Sequence, residues 1–206
     1  MSALISPLDE ARENLRVIRQ TMERSTQYST LSGWSGVLIG LIALASVWAT
    51  SRVVAQRHEM GQTAEGALPT LAGIWLTALV LAVSAEFLCN KIRARRVGKH
   101  VVSRLGAHVA MAALPAFLGA AVLTAFFSMH GMALHICGIW MLCYGLAISA
   151  VGLFSARPVT YLGVAFVLAG AVTLLLPIEA QLPMMALAFG GFHIVYGVAI
   201  ARRHGW

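Results

Sequence analysis

The chain has 206 residues, 59% of them hydrophobic and 11% charged, with a formal net charge of +7. Soluble domains carry roughly 45–50% apolar and about 25% charged residues, so this balance excludes an ordinary soluble fold. The basic excess lies in polar connections between apolar runs, and the run Lys91–Arg104 lacks the interleaved aromatics of a nucleic-acid module. No nucleic-acid partner is expected.

The first thirty residues are polar and mixed in charge, with no short apolar stretch leading to a small-residue cleavage site. The first apolar span is therefore expected to act as an uncleaved insertion signal. Within residues 1–30, Ser6-Pro7-Leu8-Asp9 reads as an N-cap, a first-position proline and an early acid. Leu8, Ala11, Leu15, Ile18 and Met22 then recur three and four apart, a narrow apolar stripe on an amphipathic cytoplasmic helix. Two readings stand for it. The helix lies on the membrane or the bundle, or Leu8, Leu15, Ile18 and Met22 dock a partner.

From Leu31 onward, apolar runs recur at Leu31–Ser51, Leu68–Leu88, Ala107–Phe127, Ala133–Phe154, Val159–Pro177 and Met184–Ala201. Each is long enough to cross a hydrocarbon core of ~30 Å as a helix. The runs are continuous and do not alternate, which favours helices over barrel strands. Pro69, Pro158 and Pro183 stand at helix starts. Pro115 lies inside the third run, where a kink is expected. The fold class is an all-α integral membrane protein, with a six-helix bundle over residues 31–201 and a cytoplasmic tail at 202–206.

Lys and Arg set the expected orientation. The N-terminal segment holds Arg12, Arg16, Arg19 and Arg24, the second loop six basic residues, the fourth loop Arg157 and the tail Arg202 and Arg203. Only Arg52 and Arg57 fall on the other side, a split of thirteen to two. Both ends are thus expected in the cytoplasm and the protein in the inner membrane. The same basic loop can also touch anionic headgroups.

The spans repeat internally. Gly73-Ile74-Trp75-Leu76 and Leu81-Ala82-Val83-Ser84-Ala85 match Gly138-Ile139-Trp140-Met141 and Leu146-Ala147-Ile148-Ser149-Ala150 at equal spacing. Gly190, Phe192, Tyr196-Gly197 and Ala199-Ile200 match Gly138, Trp140, Tyr144-Gly145 and Ala147-Ile148. Three tandem hairpins are expected, at 31–88, 107–154 and 159–201. Trp75, Trp140 and Phe192 then belong at one depth. Gly36 and Gly40 form a Gly-xxx-Gly pair that serves contact within the chain or between copies, as in a homo-oligomer or a subunit of a membrane complex.

Ionisable groups inside a membrane are costly and are candidate sites by default. His193 falls near the middle of the last span, with Tyr196 at i+3. This pair suits a proton relay, a quinone, a polar substrate or a metal, or else is a histidine satisfied by one neighbour. Glu86, near the cytoplasmic end of the second span, suits a cation or proton, or pairing with Arg93 or His108. Tyr144, Trp75 and Trp140 join His193, Tyr196 and Glu86 as lining candidates. The outer tips carry His58, Met60, Met129, His130, Met132 and His135, soft donors that suit copper. Cys89, Cys137 and Cys143 are scattered and read as small buried hydrophobes.

The chain has no P-loop, no His-Glu-x-x-His, no nucleophile elbow and no paired intramembrane acids. A conventional enzyme is not expected. Two function classes remain: binding or passage of a small solute or ion, and a sensor, anchor or accessory role through the N-terminal helix. Soft-metal binding at the tips is a third.

Overall fold

The computed structural model describes residues 33–96, 104–155 and 157–204. The expected N-terminal helix, with Leu8, Leu15, Ile18 and Met22, lies outside the described residues. Within them the chain is helical without strands, and six helices are long and apolar enough to cross a membrane.

The helices are α1 (Gly33–Glu59), α2 (Leu68–Arg96), α3 (Arg104–Met129), α4 (Ile136–Gly152) and α5 (Arg157–Leu175). The sixth crossing is composite. A short α6 (Gln181–Met185) runs into a π-helical turn, Ala186–Phe192, and then into α7 (His193–His204). Several helices outrun the apolar spans. Helix α1 continues to Glu59 and α2 to Arg96, because a helix satisfies its own backbone and need not stop where lipid gives way to headgroups. Helix α3 carries through Pro115 without interruption.

Two hairpin tips share one construction. Gly61 and Gly131 have φ of 67° and 68°, the left-handed region that favours glycine. The next amide in each case donates back five residues, Gln62 to Arg57 and Met132 to Phe127, both at 2.9 Å. This is the Schellman closure of a helix end. A single 3-10 turn then leads into the following helix, at Ala64–Ala67 and at Ala133–His135. The third tip enters its helix through a 3-10 turn as well, Ile178–Ala180.

Glycines decide which helices pair closely. On α4, Gly138, Gly145 and Gly152 recur seven apart, and on α5 so do Gly163 and Gly170. A Cβ on Gly145 would stand 2.5 Å from the Val167 amide nitrogen, and one on Gly163 2.5 Å from that of Ser149. Backbone meets backbone here, which no larger residue permits. Gly36 and Gly40 do the same on α1. A Cβ on Gly36 would lie 2.8 Å from Gly197 Cα, and one on Gly40 2.7 Å from the Gly190 carbonyl. The Gly-xxx-Gly pair therefore serves contact within the chain.

The arms of the third expected hairpin touch only sparsely. Helix α5 packs mainly on α4, and the sixth crossing mainly on α1. Helices α2 and α3 flank the bundle. Only 11% and 6% of their apolar windows are buried, against 33–39% in α4, α5 and the sixth crossing. The apolar flanks left open, such as Leu76, Val80 and Val83 on α2 and Met111, Leu118 and Val122 on α3, suit lipid tails. The core gathers Val47, Cys137, Met141, Phe166, Ala169, Met185 and Ala188, and Trp75, Trp140 and Phe192 all pack against it.

Candidate functional site

The polar centre of the bundle is built on His193, the first residue after the π-helical turn. Its side chain is 3% exposed. Nδ1 lies 2.9 Å from the Phe189 carbonyl, four residues back, and Nε2 lies 2.8 Å from the Tyr144 hydroxyl on α4. A carbonyl only accepts, so Nδ1 carries the proton of that bond. In the neutral ring Nε2 is then an acceptor, and Tyr144 O–H donates to it.

The local backbone explains the pairing. In a regular α-helix every carbonyl is claimed by the amide four residues on. A π-helical turn shifts that ladder to five, and such turns recur at functional sites. At the end of that turn the histidine amide bonds to the Gly190 carbonyl, three residues back, and the Phe189 carbonyl four back accepts from the ring instead. Both ring nitrogens are thus committed to groups other than Tyr196. The expected i+3 pair of His193 with Tyr196 is not a hydrogen-bonded pair, and the phenol that meets the ring comes from across the bundle.

Aromatic rings close around this bond. Tyr144 sits 4.8 Å from Phe166 edge-on, 5.1 Å from Phe189 and 6.3 Å from Phe117. Phe166 also meets His193 at 5.2 Å and Phe192 at 5.5 Å. Such edge-to-face contacts are each worth about 0.5–1.5 kcal/mol beyond burial. Phe166 itself has no exposed surface. Four elements therefore contribute: α3, α4, α5 and the sixth crossing.

Glu86 stands on α2 and is half-buried. Asn90, one turn on, donates from Nδ2 to Glu86 Oε1 at 2.7 Å. Asn90 is 4% exposed, and its Oδ1 has no partner.

The tryptophans stand one layer out. Trp140 donates from Nε1 to Thr124 Oγ1 at 2.9 Å, tying α4 to α3, and faces Phe117 at 6.5 Å. Trp75 packs on the core from α2. At the start of the sixth crossing Gln181 is fully buried, and its Nε2 donates to the Thr173 carbonyl at 2.7 Å. That bond fastens the start of the sixth crossing to the end of α5.

Met60 and Met129 point outward. His130 donates from Nδ1 to the Phe126 carbonyl at 2.7 Å and stacks on that ring at 4.1 Å. Met132 is exposed, and His135 lies against Phe127. His58 lines a groove with Glu179, Leu134 and Leu182. Among the described residues no three His, Cys, Asp or Glu side chains form a metal-binding group.

Sequence reasoning missed Phe117, Phe166, Phe189 and Asn90. The three phenylalanines carry no local signal inside apolar runs. Asn90 did: an amide four residues after an intramembrane acid shares its helix face.

The architecture defines a multi-pass helical membrane protein in a lipid bilayer. Comparison with protein-family models, curated proteins and solved structures finds no match for this chain.

Proposed function

We propose that the bundle binds a small solute or ion at the Tyr144–His193 centre and passes it across the inner membrane, with both chain ends in the cytoplasm. The observation that carries this reading is the Tyr144–His193 hydrogen bond, held in an aromatic shell by a π-helical turn. Polar groups this deep are expensive. Glycine contacts hold α4 to α5 and α1 to α7, while the Tyr144–His193 bond is the polar link between α4 and the sixth crossing. The expected Trp75 and Trp140 support the shell from one layer away, and Tyr196 extends it toward the end of α7.

The chemistry suits a ligand with a flat or apolar body and one polar edge. Phenylalanine faces take the body, and the Tyr144 hydroxyl and His193 ring exchange hydrogen bonds with the edge. A quinone or a small weakly polar solute fits this description.

Reconstitution into proteoliposomes tests it. Uptake of at least one solute from a panel of quinones and small polar compounds is expected, cut tenfold or more by His193→Ala. A second reading is favoured by one observation, the dry packing of His193 with both nitrogens satisfied. In that reading the protein is an accessory subunit. Absence of uptake in wild type and variant alike, with a stoichiometric membrane partner recovered in mild detergent, decides for it.

A further inference from the structure

A groove opens where α1, the 3-10 turn Ala133–His135 and the start of the sixth crossing meet, at the hairpin-tip end of the bundle. Its volume is about 400 Å³, within the range of small-molecule sites. It shares no residue with the aromatic shell of the Tyr144–His193 centre. The wall is aliphatic, with Val54 from α1, Leu134 from the turn, and Ile178 and Leu182 where the sixth crossing begins. Three polar side chains join it: Ser51, His58 and Glu179.

The hydrogen-bonding capacity here is largely unspent. Glu179 and His58 are exposed, and among the described residues neither side chain has a hydrogen bond or an ion pair. Ser51 donates to the Trp48 carbonyl at 2.7 Å, which leaves its oxygen free to accept. The same three segments also hold buried polar atoms without partners, Thr50 Oγ1, His135 Nδ1 and Gln181 Oε1. A concave apolar wall this short of hydrogen bonds is built like a ligand site and unlike a packed core.

The lining sets the ligand's chemistry. Glu179 is the one acid among the lining residues, and no Lys or Arg stands with it. A carboxylate accepts and cannot donate, so it calls for a donor, best a positively charged one. A metal ion is poorly served, since one carboxylate and one imidazole supply two ligands where a bound metal takes about four or more. An ammonium group offers donors to Glu179, to the Ser51 oxygen and to a His58 ring nitrogen, while the aliphatic wall covers an apolar body. We infer that this groove binds an amphipathic organic cation, a small primary amine with an apolar body, with Glu179 holding the ammonium. The inference goes beyond the reading of the Tyr144–His193 centre and does not depend on it.

The test is isothermal titration of the full chain in detergent with three probes of one shape: phenethylamine, 2-phenylethanol and phenylacetate. Saturable binding of phenethylamine is expected, and none of phenylacetate. Loss of the charge, by offering the alcohol or by Glu179→Gln, is expected to weaken binding about fivefold, the scale of one ion pair partly open to water. Ala55→Trp fills the groove and is expected to abolish amine binding with Glu179 still in place. Ala55 and Glu179 are both exposed, and thermal unfolding checks that each variant stays folded. If a variant is lost on extraction, the three probes on the wild type decide by themselves. Absence of saturable amine binding overturns the inference. So do equal affinities for amine and alcohol, which assign the groove to any apolar chain, a lipid tail included. Equal amine binding by wild type and Glu179→Gln overturns it as well. His193→Ala should lose solute uptake and keep amine binding, so this site and the proposed passage fail separately.

Discussion

Helix α4 meets α5 through Gly138, Gly145 and Gly152, and meets the sixth crossing through Met141 and Tyr144. The first seam is backbone on backbone, with no room for a methyl group. The second is built from rings, a sulfur and one polar bond. Water drives neither, since lipid is as apolar as the side chains, so shape and hydrogen bonding must hold both. The glycine seam holds position by leaving nothing to adjust. The aromatic seam has side chains that can turn, and it is where a ligand can be admitted.

The largest effect should come from filling the glycine seam. Gly145→Leu forces α4 and α5 apart along their length and is expected to cost more than about 3 kcal/mol, seen as loss of a folded peak in size-exclusion after extraction. Breaking the polar bond of the other seam should cost less. Tyr144→Phe leaves His193 Nε2 unpaired in an apolar shell, for about 1–2 kcal/mol in thermal stability, while solute uptake falls at least tenfold. Trp140→Phe removes the bond to Thr124 and leaves a smaller aromatic ring, and the lost bond is expected to cost about 0.6 kcal/mol. Smallest is a change on the flank. A Cβ on Gly73 meets nothing within 4 Å, so Gly73→Ala should be neutral or stabilise by up to about 1 kcal/mol through helix propensity. A strong loss at Gly73 would mean that α2 has a close neighbour in the membrane, such as a second copy.

Six crossings were legible because hydropathy and length are properties of a single run, and every apolar span contains the heart of an observed helix. The close approach at Gly36 and Gly40 was legible as a motif, although spacing alone could not choose between an internal and an external neighbour. The pairing of hairpin arms was harder. Matching sequence in the fourth and sixth spans predicts like surroundings, and Trp75, Trp140 and Phe192 do share a core. Yet α5 turned to α4 because Gly163 and Gly170 fit Gly145 and Gly138 so closely. The site was half legible. Depth marked His193 and Glu86, and the repeat marked Tyr144. The bonds from Tyr144 to the histidine and from Asn90 to the acid depend on a ladder shift and on rotamers that periodicity does not encode.

The wide turn at Ala186–Phe192 amounts to one surplus residue in a helix otherwise in regular phase. Removing any single residue from it would let the crossing relax to an unbroken spiral. Everything beyond would keep its phase, because the wide turn holds the extra residue without turning the rest, and Gly197 would stay in its groove on α1. The His193 amide would then reclaim the carbonyl four residues back, and the ring would lose it. The surplus residue thus lends the histidine a backbone acceptor while leaving both flanks of the crossing in place.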